Sequence, residues 1–366
     1  MNDTYDIAVI GAGMAGASLA AECAPHASVI VLEGESQPGY HTTGRSAAFW
    51  EECYGGPDIV PLTLASGEYL RSRGFLSSRG ALYIARKDET GLLDAFERRF
   101  EGTLAQFERI DRAALALRVA NILPEWTEAI WQPDCADIDV AGLHAHYLAK
   151  LRRAGGAVRC SARLADARRA DGRWILTTAT GQEIAASILV DAAGAWADPV
   201  AAIAGVEPFG IRPLRRTLVQ LRADPGPPTD QPLVLAIDGS FYFKPEPGGR
   251  IWLSPHDETP SEPVDAAPEE IDVARAIERF GQVIDCRIEA VERKWAGLRS
   301  FAPDRLPVIG FEPSQPGFFW FAGQGGWGIQ TAPAAARLAA QLLLGRPHDE
   351  MTDALNAASF DPARRG

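Results

Sequence analysis

The run "GAGMAG" sets Gly11, Gly13 and Gly16 at GxGxxG spacing, and an acidic residue, Glu33, follows 22 residues after Gly11. Residues of these types at this spacing suit the binding of a dinucleotide. Gly11 allows a tight turn, Gly13 lets the backbone approach a pyrophosphate, and Gly16 lets a helix pack closely on a strand. The amides that open the helix, around Met14 and Ala15, favour the phosphate's negative charge. Glu33 is placed to accept hydrogen bonds from both ribose hydroxyls, and its charge would repel a 2′-phosphate.

Two other stretches hold chemistry-bearing residues. "YHTTGRSAAFWEECYGG" (residues 40–56) joins hydroxyls, glycine, arginine and alanines to an aromatic and acidic tail. A helix start capped by Thr42 or Thr43 accounts for part of that order. "GQGGWGIQ" (residues 323–330) is a glycine-rich loop entering a helix, with backbone N–H groups free to face a ligand. The same fingerprint serves NAD and FAD, so the first turn does not choose between them. A reduced flavin carries negative charge at N1 and O2, which a helix start stabilises. A nicotinamide enzyme has little use for a third glycine-rich element, so FAD is favoured.

The elements that must position these residues are legible as patterns. "YDIAVI" is a short apolar run suited to a buried parallel strand, followed by the helix "AGASLAAECA" and the strand "ASVIVLE". "SILVDAAGAWA" (187–197) is a strand running into Gly194, and residues 317–345 read as a strand, a loop and a long helix. Residues 208–260 alternate as antiparallel strands, and "TPSEPVDAAPEE" (259–270) is a proline-rich acidic loop before an amphipathic helix. The expected architecture is α/β: a Rossmann-like FAD-binding domain (1–77, 141–206 and 300–366) with a discontinuous antiparallel-sheet substrate domain (78–140 and 207–299).

Composition narrows the function classes. The chain has 366 residues, 46% of them hydrophobic, and a net charge of −12. That charge argues against nucleic acid or an anionic membrane as the main partner. No apolar run approaches the ~18 residues of a membrane span. The opening "MNDTYDIAVIG" does not read as a signal peptide. Five scattered cysteines without a CxxC pair read as reduced thiols, with neither a disulfide frame nor a metal site expected. A cytoplasmic protein is expected, with docking at a membrane surface left open.

Several motifs in order along nearly the whole chain resemble the D-amino-acid oxidase family of FAD-dependent oxidoreductases, and within it the bacterial D-arginine dehydrogenase-like branch. They are "AVIGAGMAGAS", "QPGYHTTGRSAA", "LVDAAGAWAD", "SFYFKPE", "WAGLRSF" and "GQGGWGIQT". The resemblance implies that Thr42, Thr43, Arg45 and Ser46 meet the flavin side of the dinucleotide, with Ala47 and Ala48 small because the isoalloxazine lies against them. It places Val158, Ala193, Gly194, Trp196 and the run Gly325, Gly326, Trp327, Gly328, Ile329, Gln330 against a noncovalent FAD. No cysteine matches the attachment point of the covalent-flavin sarcosine oxidases.

The implied reaction is oxidation of an amine beside a carboxylate, with hydride leaving Cα for flavin N5, to an imino acid that water converts to a 2-oxo acid and ammonia. A carboxylate anchor is the first need, and arginine's planar fork suits it. Arg299 and Arg216 match the family's carboxylate-binding positions, with Arg215 a competitor for Arg216's role. Tyr242 matches a hydroxyl donor and Tyr54 a pocket tyrosine. The branch carries histidine, threonine and an acid where this chain has Phe49, Glu51 and Ala81. With Gly326 these define a pocket expected to favour neutral or aromatic D-amino acids over arginine. Glu51 either restores acidity or points into solvent, and His256 reads as a solvated loop residue within reach of the pocket. The alternatives are a 2-hydroxy acid or a secondary amine of the sarcosine type. The electron acceptor is open among quinone, another carrier and oxygen.

Overall fold

The computed structural model describes residues 3–365. Two large sheets carry the chain. The first has eight strands drawn from three separated stretches of sequence. At its centre Asp3–Ile10 pairs in parallel with Val29–Leu32 on one side and Glu183–Asp191 on the other. Ala157–Arg159 and Phe318–Ala322 extend the parallel arrangement outward. Strands covered on both faces read as unbroken apolar runs, and Val29–Leu32 and Phe318–Ala322 are buried at every position. The helices Met14–Cys23, Val140–Arg153 and Ala332–Leu344 share one core with this sheet.

The second sheet has ten strands and is mostly antiparallel. Its spine is Arg212–Asp224 against Arg287–Phe301, aligned so that Arg216 faces Gly297, Leu218 faces Trp295 and Gln220 faces Arg293. Because strand side chains alternate between faces, Arg216, Leu218 and Gln220 share one face with Arg293, Trp295, Gly297 and Arg299. Arg250–Ser254 and Tyr242–Glu246 continue the sheet, with Trp252 beside Gln220 and Tyr242 beside Ser254. The strand Arg287–Phe301 runs unbroken across the boundary read between residues 299 and 300. Gln324–Gly325, grouped by sequence with the cofactor segment, adds to the edge of this second sheet by pairing with Ser300 and Phe301. A ladder of backbone hydrogen bonds leaves no composition signal where it passes between structural units, so motif-based boundaries miss it.

Residues 40–48 bind the two sheets together. Thr42 Oγ1 donates to Leu298 O at 2.6 Å, Arg45 Nη1 donates to Ala266 O and Ala296 O at 3.0 and 3.1 Å, and Trp295 Nε1 donates back to Arg45 O at 2.9 Å. The glycines of the first turn explain themselves by contact. A Cβ on Gly11, at φ +98°, would lie 2.6 Å from Ala192 O, and one on Gly16 would lie 1.9 Å from Gly11 O. We therefore expect Gly16→Ala to destabilise the protein by about 1–3 kcal/mol, the cost of overpacking. Gly91, exposed in the helix Thr90–Phe100 with nothing within 4 Å of an added Cβ, is the control. Gly91→Ala should stabilise by roughly 0.5–1 kcal/mol through helix propensity, read by urea unfolding of both variants.

Candidate active site

A continuous cleft lies between the sheets, from Glu33 and Gly34 at one end to Arg216, Tyr242 and Arg299 at the other. Its first half is built at the end of Asp3–Ile10. Gly11, Gly13, Met14 and Ala15 line it, while Gly16 sits behind them at the helix–turn contact. Met14 N donates to Thr43 Oγ1 at 2.9 Å, which docks the 40–48 loop on the helix start. Glu33 lines the same end; Oε2 accepts from Ala12 N at 2.8 Å and Oε1 from Glu35 N at 2.9 Å. Each carboxylate oxygen keeps acceptor capacity for a hydroxyl.

Thr42, Thr43, Arg45, Ser46, Ala47 and Ala48 line the middle of the cleft, facing Ala193, Gly194 and Trp196. Opposite them are Gly325, Gly326, Gly328, Ile329 and Gln330. Among the described residues, the backbone amides of 327–329 find no acceptor, so these donors are free to meet a ligand at the start of Ala332–Leu344. Two of the expected cofactor residues are elsewhere. Val158 lies in the edge strand beside Val31, and Trp327 is buried with its ring 5.4 Å from that of Phe301 and 6.2 Å from that of Tyr54; neither lines the cleft. His41, which sequence reading passed over, lines the cleft with its ring 4.6 Å from that of Trp196.

The far end holds two buried arginines. Arg299 donates from Nη1 to Tyr54 Oη at 3.2 Å and from Nη2 to Glu258 Oε1 at 2.6 Å. Arg216 Nε donates to Asp257 O at 2.9 Å, and its Nη2 and Arg299 Nε are buried without a hydrogen-bond partner. Burial, and then the charge of Arg299, lower the Arg216 guanidinium to about 10, still charged at neutral pH. Tyr242 is buried beside the pair, and burial keeps its phenol protonated and able to donate. Phe49 and Leu218 supply an apolar wall. Gly326 is confined by the clamp itself: a Cβ there would lie 2.7 Å from Arg299 Nη1 and 3.0 Å from Tyr54 Oη. Arg215 is not part of this end, because the next residue on a strand faces away; it pairs with Glu269 and Asp272.

The acids behind the arginines were not anticipated. Asp257 accepts from Thr217 N and Oγ1, at 2.7 and 3.0 Å, and Glu258 also accepts from Arg305. Burial pushes the Glu258 carboxyl upward, but its bonds to Arg305 and the charges of Arg299, Arg305 and Arg216 bring it below the ordinary value. "DE" in a loop carries no periodic signal, so only the folded contact reveals the pair.

Three sequence expectations are corrected. Ala81 does not line the cleft: it is fully buried in a cluster with Ala47, Phe49 and Tyr242, one layer behind the apolar wall. Glu51 neither adds charge to the cleft nor meets solvent. It is fully buried, accepts from Tyr83 Oη at 2.7 Å and from Cys53 N at 3.0 Å, and its own amide donates to Gln330 Oε1 at 3.1 Å. His256 is not a solvated residue. Its ring packs 5.6 Å from Tyr242, Nδ1 meets Gly239 O, and Nε2 is buried without a partner. Burial, then the charges of Arg216 and Arg299, hold this imidazole neutral.

The family model described as FAD dependent oxidoreductase matches residues 6–342, and the chain belongs to that family. Glycine oxidase from Geobacillus kaustophilus is 25% identical over 363 residues, 94% of each chain. Its crystal structure superposes with a TM-score of 0.85, at 23% identity over the whole of both chains. L-Proline dehydrogenase from P. horikoshii has a TM-score of 0.85 at 21% identity, covering all of this chain and 98% of that one. FAD-dependent oxidoreductase domain-containing protein 1 of Xenopus laevis is 27% identical over 195 residues, 49% of this chain and 38% of that protein. The cofactor is FAD. The residues fit it: the turn admits no Cβ at Gly11 or Gly16, Glu33 is held ready by backbone donors, and the amides of 327–329 are unspent.

Glu51 leads to a prediction of its own. Burial raises its carboxyl to about 7, against the lowering bonds from Tyr83 and Cys53, while the unfolded chain releases that proton near the ordinary 4.5. The cost of ionising Glu51 is therefore absent below pH 4.5, grows as pH rises, and is complete above about 7. Glu51→Gln should recover on the order of 3 kcal/mol of that loss. In urea unfolding the gap between variant and parent should widen from pH 5 to pH 8; a constant gap would show that Glu51 does not titrate in this window.

Proposed function

We propose that the protein oxidises an α-amino acid, of D configuration and with a neutral or aromatic side chain, to the imino acid that hydrolyses to a 2-oxo acid and ammonia. The observation that carries this reading is the pair Arg216 and Arg299, buried together at the apolar end of the cleft with unpartnered N–H groups. FAD, when bound, supplies the acceptor for the hydride that leaves the substrate's Cα.

The chain's own residues bind, orient and discharge the substrate. Arg216 and Arg299 hold its carboxylate, with Tyr54 and Tyr242 as hydroxyl donors around the same group. Their positive charge, together with exclusion of water by Phe49 and Leu218, lowers the pKa of the substrate's ammonium so that it loses a proton before oxidation. Among the described residues, no carboxylate or imidazole lines this end of the cleft. Oxidation of an alcohol calls for a base at that place, so an amine is favoured over a 2-hydroxy acid. The apolar wall and the retreat of Glu51 support a neutral side chain over a guanidinium. A secondary amine is the second reading, favoured by the likeness to L-proline dehydrogenase.

The test is anaerobic. Single D- and L-amino acids, secondary amines and 2-hydroxy acids are added to the purified yellow protein and the visible spectrum is followed. Bleaching by neutral D-amino acids is expected; bleaching only by a hydroxy acid or a secondary amine overturns the substrate. Arg299→Met should keep FAD bound while raising the amino-acid concentration for half-reduction by roughly a hundredfold, about 3 kcal/mol for a buried charge left unpaired. Equal bleaching by variant and parent would remove the clamp assignment.

A further inference from the structure

The sheet face that carries the arginine clamp does not end at the cofactor cleft. Four residues before Arg299 on the same strand, Trp295 lines a second cleft together with Arg293, Gln220 and Trp252. Gly44, Arg45 and Ser46 also line it, and Arg45 and Ser46 line the cofactor cleft as well, so the two spaces share these two residues. Trp295 is two residues from Gly297, which lines the cofactor cleft, or about 7 Å along the strand. Arg293 is six residues from the clamp at Arg299, roughly 20 Å away, so the second cleft is not a continuation of the substrate end.

Its chemistry is uniform. The rings of Trp252 and Trp295 meet at 5.4 Å and 77°. Both indole N–H groups are already used, Trp252 on Gln220 Oε1 at 3.1 Å and Trp295 on Arg45 O, so the indoles offer ring surface rather than donors; Lys244 Nζ lies 5.1 Å from the Trp252 ring centre on one side. The nearby acids are occupied. Glu292 accepts from Gln220, Arg222 and Arg250, and Glu270 pairs with Lys294, which also borders the cleft. Among the described residues, no acidic side chain lines the space. Arg293 is exposed and, among the described residues, has no ion-pair or hydrogen-bond partner. Free cationic charge beside two indole faces stands out on a chain of net charge −12, and such a patch draws and stacks planar anions.

We propose that this cleft docks the enzyme's electron acceptor, a small planar acceptor of the quinone class carrying negative charge. This rests on the oxidoreductase reading above. The acceptor takes up two electrons and two protons to reach its hydroquinone level, the same two electrons and two protons that the reduced FAD gives up. Its ring stacks on one of the two indoles with its edge against the other, beside Arg45 and Ser46, and Arg293 holds its charge.

The test uses the FAD-loaded protein and 2,6-dichlorophenolindophenol, an anionic quinone-imine dye. Calorimetric titration of the oxidised protein measures binding without turnover. Rapid mixing of dithionite-reduced protein with the dye measures reoxidation without any amino acid. Arg293→Glu and, separately, Trp252→Leu should each weaken dye binding at least tenfold and slow reoxidation in proportion. Reoxidation by ferricenium, a cation without the dye's charge, should not slow with Arg293→Glu. Parent-like binding and reoxidation in both variants would overturn the proposal, as would dye binding seen only after FAD is removed, which would make the cleft part of the cofactor's own seat. If amino acids fail to bleach the protein while the dye still depends on Arg293, the substrate reading fails and the docking site stands.

Discussion

Along residues 212–220 and the paired residues 293–301, where the register is unbroken, every second side chain points to the same face of the sheet. That single alternation sets Arg216 diagonally across from Arg299, leaves Gly297 opposite Arg216, and turns Arg215 to the far side. The 40–48 loop lies against the strand at Gly297, where an added Cβ would make an ordinary contact, 3.6 Å from Arg45 Cβ. Hydrogen bonds from Thr42 and Arg45 hold the loop there. A one-residue slip of the pairing would reverse every one of these directions.

Two guanidiniums buried side by side are costly in isolation, because each loses solvation and each repels the other. The protein offsets this from behind. Asp257 is held by Thr217 and sits against Arg216, while Glu258 is shared by Arg299 and Arg305. Arg299 Nε is buried without a hydrogen-bond partner, and Arg216 Nη2, also without one, lies 3.7 Å from Glu258 Oε1. A carboxylate, with two oxygens to accept from them, is the kind of group that suits two such guanidiniums. The neutral state of His256 belongs to the same balance, since a third positive charge against Tyr242 would meet both arginines.

The wall around the clamp shows how position decides chemistry. Glu51 and Tyr54 are three residues apart, yet Tyr54 reaches Arg299 while Glu51 turns into the protein toward Tyr83. Gln330 ties this corner to the C-terminal loop, donating to Tyr54 O and Thr63 Oγ1 and accepting from Glu51 N. The acidic residue thus becomes part of the scaffold that holds the tyrosine.

The glycine turn, Glu33, the small residues of 46–48 and the "GQGGWGIQ" loop were legible in the sequence because each is a local requirement. A tight turn needs φ above zero, a helix start needs free amides, and neither depends on what is distant in the chain. The FAD-binding architecture follows from such local signals placed in order. Ala81, Glu51, His256, Val158 and Trp327 could not be placed in this way, since a side chain one residue along a strand or loop faces the opposite direction without any change in composition. The acids that steady the clamp come from a loop folded behind it, while the crossing of Arg287–Phe301 between structural units and the run of Trp252, Trp295 and Arg293 beyond the cofactor cleft arise from strand register. Register is decided by long-range pairing and burial, and so it belongs to the tertiary structure alone.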